Sequence, residues 1–319
     1  MVINFIGNYA GSYTSEKADE DHLSYEMEAV GHVVRKIPRD EWREHVINGQ
    51  SYPNIPNDLV ADINIVAKWN GFDNGKYIQY LRDVSHAPVF YWVWDYMQGE
   101  PWHMEMVKAA DLYIANDVFS GHYRGLKNCY YFPFDVSSRD FDSVPSEQIR
   151  DVAFFGSWIP QGDRQEWLQE INKHIPVDIF SWNYQDWPSE FTAHPAVYGK
   201  DFALEVAKTK ICLGFSVHPN TWGYWSNRTG KILSCGGFLL YQYAPGMELL
   251  LREGVVYFSS PQEAVEKIKY YLENEHERNL IASLGYIQGR DRFTSYERVK
   301  DLMILVERFL KKGNTVWNL

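Results

Sequence analysis

Short apolar runs alternate with amphipathic stretches along most of the chain, a pattern of βα units built around parallel sheets. Residues 2–6 form an apolar strand followed by a glycine-containing loop at 7–12. Residues 21–30 carry Leu23, Met27 and Val30 at helical spacing. Residues 61–66, 89–94 and 112–115 are further strands. The run at 89–94 is almost wholly β-branched and aromatic, as a strand covered on both faces requires.

A second series begins after residue 150. Strands are expected at 152–155, 177–181, 211–216, 238–241 and 255–258, and helices at 164–174, 202–208, 225–234 and 246–252. Ser260, Pro261 and Glu263 predict a capped helix start, with Ala264, Val265, Ile268, Tyr271 and Leu272 forming its apolar stripe. A last helix holds Val299, Leu302, Met303, Val306 and Phe309 in register. Between the two series, residues 135–148 are polar and turn-rich, which predicts a linker. The pattern therefore predicts an α/β chain of two Rossmann-like domains facing each other across a cleft. The expected spans are 1–140 and 149–300, with a terminal helix at 301–319. In such sheets ligands bind beyond the carboxyl ends of the strands.

Composition narrows the function. Hydrophobic residues make up 45% of the 319, enough to fill a core. No apolar run is long enough to span a bilayer, and Met1 leads directly into an apolar strand, so a cytoplasmic protein is expected. Cys129, Cys212 and Cys235 lack metal-ligand spacing and read as buried thiols of a reducing compartment. The net charge of −11 argues against a protein that tracks bare nucleic acid. Arg35, Lys36, Arg39 and Arg43 form a modest basic cluster, most simply a solvated helix face. No GxGxxG, P-loop, HExxH or GxSxG is present. Asp140-Phe141-Asp142 imitates a metal-binding DxD but lies in the polar stretch, away from any strand end.

Residues 226–285 carry an ordered set of features: an Arg-bearing helix, a small-Gly-Gly turn, a short apolar strand and a Pro-Gly-x-Glu helix start. An acidic strand-helix unit and a His/Glu/Arg-rich helix follow. With the strand and glycine turn at 151–158 and the segment from Tyr198, this order resembles the carboxyl-terminal domain of group 1 GT-B glycosyltransferases. The likeness is nearest to the branch of spore-maturation CgeB-like proteins. It covers about residues 151–300 and is diffuse before 140.

The resemblance implies transfer of a hexose from a nucleotide-diphosphate sugar, with a UDP-sugar the expected donor, to an acceptor hydroxyl. No metal and no cofactor are implied. A diphosphate needs fixed positive charge and backbone N–H donors. Arg228 offers a guanidinium fork, and the turn at Pro245, Gly246 and Met247 offers amides. Glu248 is placed to accept from ribose hydroxyls. Gly236 and Gly237 let the helix-to-strand turn pass beneath the site. Gly156 and Ser157 make a second phosphate-facing turn, with Arg164 behind it. Trp182 or Tyr198 could stack on the base. Where the family commonly has a glutamate three residues after the arginine, this chain has Lys231, which cannot accept those bonds and adds charge suited to phosphate.

Inverting transfer also needs a base for the acceptor proton. Asp95, at the end of an apolar strand, is the candidate, with His22 beside Asp21 as runner-up. Gly7 and Gly11 would let the first loop approach a ligand. The acceptor stays open among a polysaccharide, a small molecule and a hydroxymethylated base in DNA. A nucleotide-sugar-binding module without turnover is the other reading.

Overall fold

The computed structural model describes residues 1–9, 19–67, 75–97, 100–159 and 163–311. The chain divides into two units, Met1–Pro133 with Ser295–Leu319, and Phe134–Thr294. Each is built on its own six-stranded parallel sheet, an α/β architecture matching the expected class.

In unit 1, strands β1 (Val2–Gly7), β2 (Val33–Pro38), β3 (Ile63–Ala67), β4 (Val89–Val93), β5 (Leu112–Ala115) and β6 (Cys129–Tyr131) lie in the order β2-β1-β3-β4-β5-β6. Helices α1 (Asp19–Ala29), α2 (Arg39–Asn48), α3 (Lys76–Ser85) and α4 (Pro101–Ala109) connect them. Side-chain alternation sorts the strands onto two faces. Ile3, Phe5, Phe90 and Trp92 pack with Leu23 and Met27 of α1 and with Val299, Leu302, Val306 and Phe309. Those last four belong to the final helix, Ser295–Lys311. Ile6, Val66, Tyr91 and Val93 face Trp42, Leu81 and Val107 on the other side.

In unit 2, β7 (Arg150–Phe155), β8 (Asp178–Ser181), β9 (Thr192–Pro195), β10 (Thr209–Gly214), β11 (Leu239–Gln242) and β12 (Val256–Phe258) take the order β12-β11-β10-β7-β8-β9. Their helices are α5 (Arg164–Asn172), α6 (Gly199–Ala207), α7 (Asn227–Ser234), α8 (Met247–Leu251), α9 (Pro261–Glu273) and α10 (Glu275–Arg292), and the unit 1 helix Ser295–Lys311 is α11.

Three expectations change. The polar stretch at 135–148 is not a free linker, and the chain changes unit after Pro133 and again after Thr294. Val136 N–H donates to Phe293 O at 2.8 Å, Arg290 Nη1 donates to Phe141 O at 2.8 Å, and Tyr286 Oη donates to Asp142 Oδ1 at 2.8 Å. Phe141, 1% exposed, supplies the apolar anchor. The basic cluster is not one helix face: Arg35 and Lys36 lie on β2, and only Arg39 and Arg43 lie on α2. Arg35 Nη1 is spent on the carbonyls of Asp58 and Val60, at 3.0 and 2.9 Å, and Lys36 pairs with Glu28. Strands β2, β6 and β9, absent from the sequence reading, are all sheet edges. Edge strands are half-covered and need no continuous apolar run.

Candidate functional site

The strand order of unit 2 reverses between β7 and β10, so the crevice at their carboxyl ends is the place where an open parallel sheet binds ligands. Two helices start there. The chain leaves β7 through Gly156, where a side chain would meet the ring of Phe154 at 2.4 Å, and enters α5 at Arg164. It leaves β10 through a loop and enters α7 after Ser226, whose Oγ accepts from Arg228 N–H at 3.4 Å.

Each of these helices carries an arginine in its first turn. Arg164 is 6% exposed, lies over the Phe154 ring at 5.5 Å and donates to Ser157 O at 2.6 Å. Burial, and then the neighbouring charge of Arg228, lower its guanidinium to about 10. Among the described residues no carboxylate pairs with Arg164. Helix N-termini carry partial positive charge, so an arginine there is normally disfavoured. Two guanidiniums close enough for one to lower the other, with two helix N-termini, make a concentration of positive charge whose natural complement is an anion with several oxygens. Burial pushes the phenol of Tyr241 up to about 12, and the nearby charge of Arg228 is among the smaller effects that pull it back.

The other expected residues divide by edge of the sheet. Gly236 and Gly237 follow the far end of α7, at the amino edge, so they are not donor contacts. Their role is packing: Gly236 has φ +77°, and a Cβ on Gly237 would stand 2.6 Å from Val206 Cγ1. Lys231, one turn along α7 from Arg228, places its ammonium 4.8 Å over the Phe141 ring.

Trp182, 71% exposed, and half-buried Tyr198 follow β8 and β9 at the carboxyl edge. Beneath Trp182, Asn183 stitches two loops: its Oδ1 accepts from Trp158 N–H at 3.0 Å and its Nδ2 donates to Trp158 O at 3.0 Å. Pro245, Gly246, Met247 and Glu248 also lie at this edge, after β11. One amide of their turn is taken within the turn itself. Met247 is fully buried and its N–H closes on Ala244 O at 3.2 Å. The indole of Trp222 covers Gly246, where an added Cβ would meet it at 2.6 Å. Gly223 N–H donates to Pro245 O at 2.8 Å and pins that covering loop. Glu248 is exposed, close enough to Tyr257 to add to the upward push that burial gives its phenol.

In unit 1 the strand order reverses between β1 and β3. Gly7 ends β1 against Glu20, whose Cγ would lie 2.6 Å from a Cβ there. Asn8 N–H donates to Glu20 Oε1 at 3.1 Å, and burial pushes that carboxyl up. Gly11 falls outside the described residues. His22 is 3% exposed, which removes it as a surface base in this conformation. Asp95 is exposed just past β4, at the carboxyl edge.

Sequence reasoning missed Glu20, Trp222 and Asp117. Trp222 and Asp117 look like packing and turn residues when read along the chain. Glu20 sits in an ordinary acidic first turn. Among the described residues no group of three or more His, Cys, Asp or Glu could hold a metal, and no helix is long and apolar enough to cross a membrane.

Residues 164–304 match a family model described as glycosyl transferase-like, a stretch that includes both arginines. No curated protein matches the chain. HepE of Anabaena, solved with UDP and glucose, is similar at 14% identity and TM-score 0.65, over 96% of this chain and 99% of that one. Sucrose-phosphate synthase of Thermosynechococcus elongatus is similar at 10% identity and TM-score 0.65, over 98% and 99%. An alpha-glucosyltransferase solved with UDP and a 13-mer DNA containing an HMU base is similar at 11% identity and TM-score 0.67, over 96% and 99%. The chain thus has the GT-B fold and is glycosyltransferase-like over residues 164–304.

Proposed function

We propose that this protein transfers a hexose from a nucleotide-diphosphate sugar, with UDP as the nucleotide, to an acceptor hydroxyl without a metal ion. The observation that carries the reading is the Arg164–Arg228 pair at the β7/β10 switch point. In the reaction the bond from the anomeric carbon to the diphosphate oxygen breaks and a bond to the acceptor oxygen forms. The acceptor proton passes to a base, for which exposed Asp95 is the candidate. Negative charge grows on the departing diphosphate, and preorganised guanidiniums stabilise it where other enzymes use a cation. The neighbours solved with UDP support the nucleotide. The CgeB-like branch and a cytoplasmic location belong to the same proposal.

The test is release of UDP from UDP-sugars in the presence of chelator. The acceptors offered are a polysaccharide, simple glycosides and DNA with a hydroxymethylated base. Release that survives chelation and falls about 10²-fold in Arg228→Met is the expected result. Binding of UDP-sugar with no turnover for any acceptor would point instead to a module that only holds the nucleotide. Interconversion of the donor sugar without acceptor would indicate an epimerase.

A further inference from the structure

Two neighbouring strands of unit 1 send loops from the carboxyl edge of the sheet. Residues 94–97 follow β4 and carry Trp94, Asp95 and Tyr96, and residues 116–125 follow β5. A buried carboxylate joins them. Asp117 is fully buried. Its Oδ2 accepts from Met97 N–H at 3.3 Å and from Tyr123 Oη at 3.0 Å, and its Oδ1 accepts from Tyr113 Oη at 3.1 Å. Behind Tyr123 stands His103 of α4, with Nε2 3.0 Å from Tyr123 Oη and Nδ1 3.1 Å from Tyr91 Oη.

One proton arrangement satisfies the whole chain of groups. Tyr91 donates to His103 Nδ1, and His103 Nε2–H donates to Tyr123. Tyr123 and Tyr113 donate to Asp117, and Met97 adds a third donor. Tyr96 and His122 make a further edge contact between the loops, with ring centroids 6.5 Å apart.

The donors that hold Asp117 are two phenols and one amide, all neutral. A neutral side chain would pack such a place at less cost, because an ion taken out of water loses several kcal/mol of solvation. What the carboxylate provides is three acceptor positions on one rigid group, enough to hold Met97 and Tyr123 at once.

We propose that Asp117 is a positioning residue for the acceptor side of glycosyl transfer: through Met97 and Tyr123 it fixes the 94–97 loop against the loop after β5, and so fixes where Asp95 and Tyr96 stand. The purpose assigned to this tie rests on the glycosyl-transfer reading, whereas its geometry does not.

Two substitutions separate the tie from simple packing. Asp117→Asn keeps it: the amide oxygen accepts from Met97 and Tyr123, the amide N–H donates to Tyr113, and the Tyr113 proton turns toward Tyr123 Oη, 3.1 Å away. Asp117→Leu fills the space and removes every acceptor. Tyr123→Phe, which loses one bridge and keeps the ring, serves if Asp117→Leu does not fold.

The experiment is hydrogen exchange by mass spectrometry on the full chain, with UDP-induced thermal shift and UDP-glucose hydrolysis on the same samples. In Asp117→Leu, exchange at 94–97 and 117–124 is expected to rise about tenfold or more, the scale of one or two lost buried hydrogen bonds. The strands β1 to β3 and unit 2 should exchange as before, and the UDP shift should stay. The hydrolysis kcat should fall with KM for UDP-glucose unchanged, and Asp117→Asn should behave as the parent. Tyr123→Phe should loosen the same two loops to a lesser degree. Unchanged loops in Asp117→Leu, or in Tyr123→Phe if that variant must decide, would overturn the proposal. So would exchange raised evenly across unit 1. Parent protein that gives no UDP shift would remove the glycosyl-transfer reading, and with it the purpose of the tie, whatever the exchange shows.

Discussion

A guanidinium in the first turn of a helix stands against the field of that helix, and this chain places two such groups where they repel each other. Arg228→Met should lower UDP affinity by about 2–3 kcal/mol, roughly 30- to 150-fold, read by calorimetry. Asp117 poses the opposite problem, a buried anion among phenols. Burial raises its carboxyl, while the Met97 amide and the Tyr123 and Tyr113 hydroxyls pull it down by less. A carboxyl whose folded value lies above its unfolded value contributes stability below the unfolded value, about 4, and loses it as pH rises through the folded value. Asp117→Asn is free of that loss. Its stability relative to the parent should grow from pH 4 to pH 8 in urea titrations, and a constant gap would contradict the buried charge.

At the scale of elements, the central strands were legible because burial on both faces forces an unbroken apolar run, as at 89–94. The edge strands and the clasp at 135–148 were not. Their bonds go to partners far along the chain, such as Phe293 and Arg290. The cap of α9 was legible in local spacing. Ser260 Oγ accepts from Glu263 N–H at 3.1 Å, although Glu263 reaches back to Ser259 N–H, at 2.7 Å, one residue earlier than a simple capping box. Ser260→Ala should cost about 1 kcal/mol in urea unfolding. Helix α10 depends on a feature hidden from pattern reading, backbone packed directly on backbone. A Cβ on Gly285 would meet Gly254 O at 2.7 Å and Leu233 Cδ2 at 2.9 Å. Gly285→Ala should cost about 1–3 kcal/mol by overpacking, measured the same way. A neutral result would mean that α10 shifts freely against α7.

Across the molecule, two parallel sheets each reverse strand order once, and in unit 2 the basic chemistry gathers at that reversal. An overall charge of −11 hides this local concentration, so bulk charge argues against a nucleic-acid tracker but does not locate an anion site. Arg228 was readable from its place in the ordered segment after 226. Its partner was only a residue behind a glycine turn, because the strand order that joins α5 to α7 is not written locally. Gly236 and Gly237 show the converse: they belong to the recognisable segment, yet the length of α7 carries them to the opposite edge of the sheet. The decisive measurement is a calorimetric UDP titration, in chelator, of the parent, Arg164→Met, Arg228→Met and the double variant. The parent should bind, and each single variant should lose nearly as much affinity as the double, because both arginines act on one diphosphate. UDP binding that is absent from the parent, or unchanged in the variants, would contradict that role for the pair.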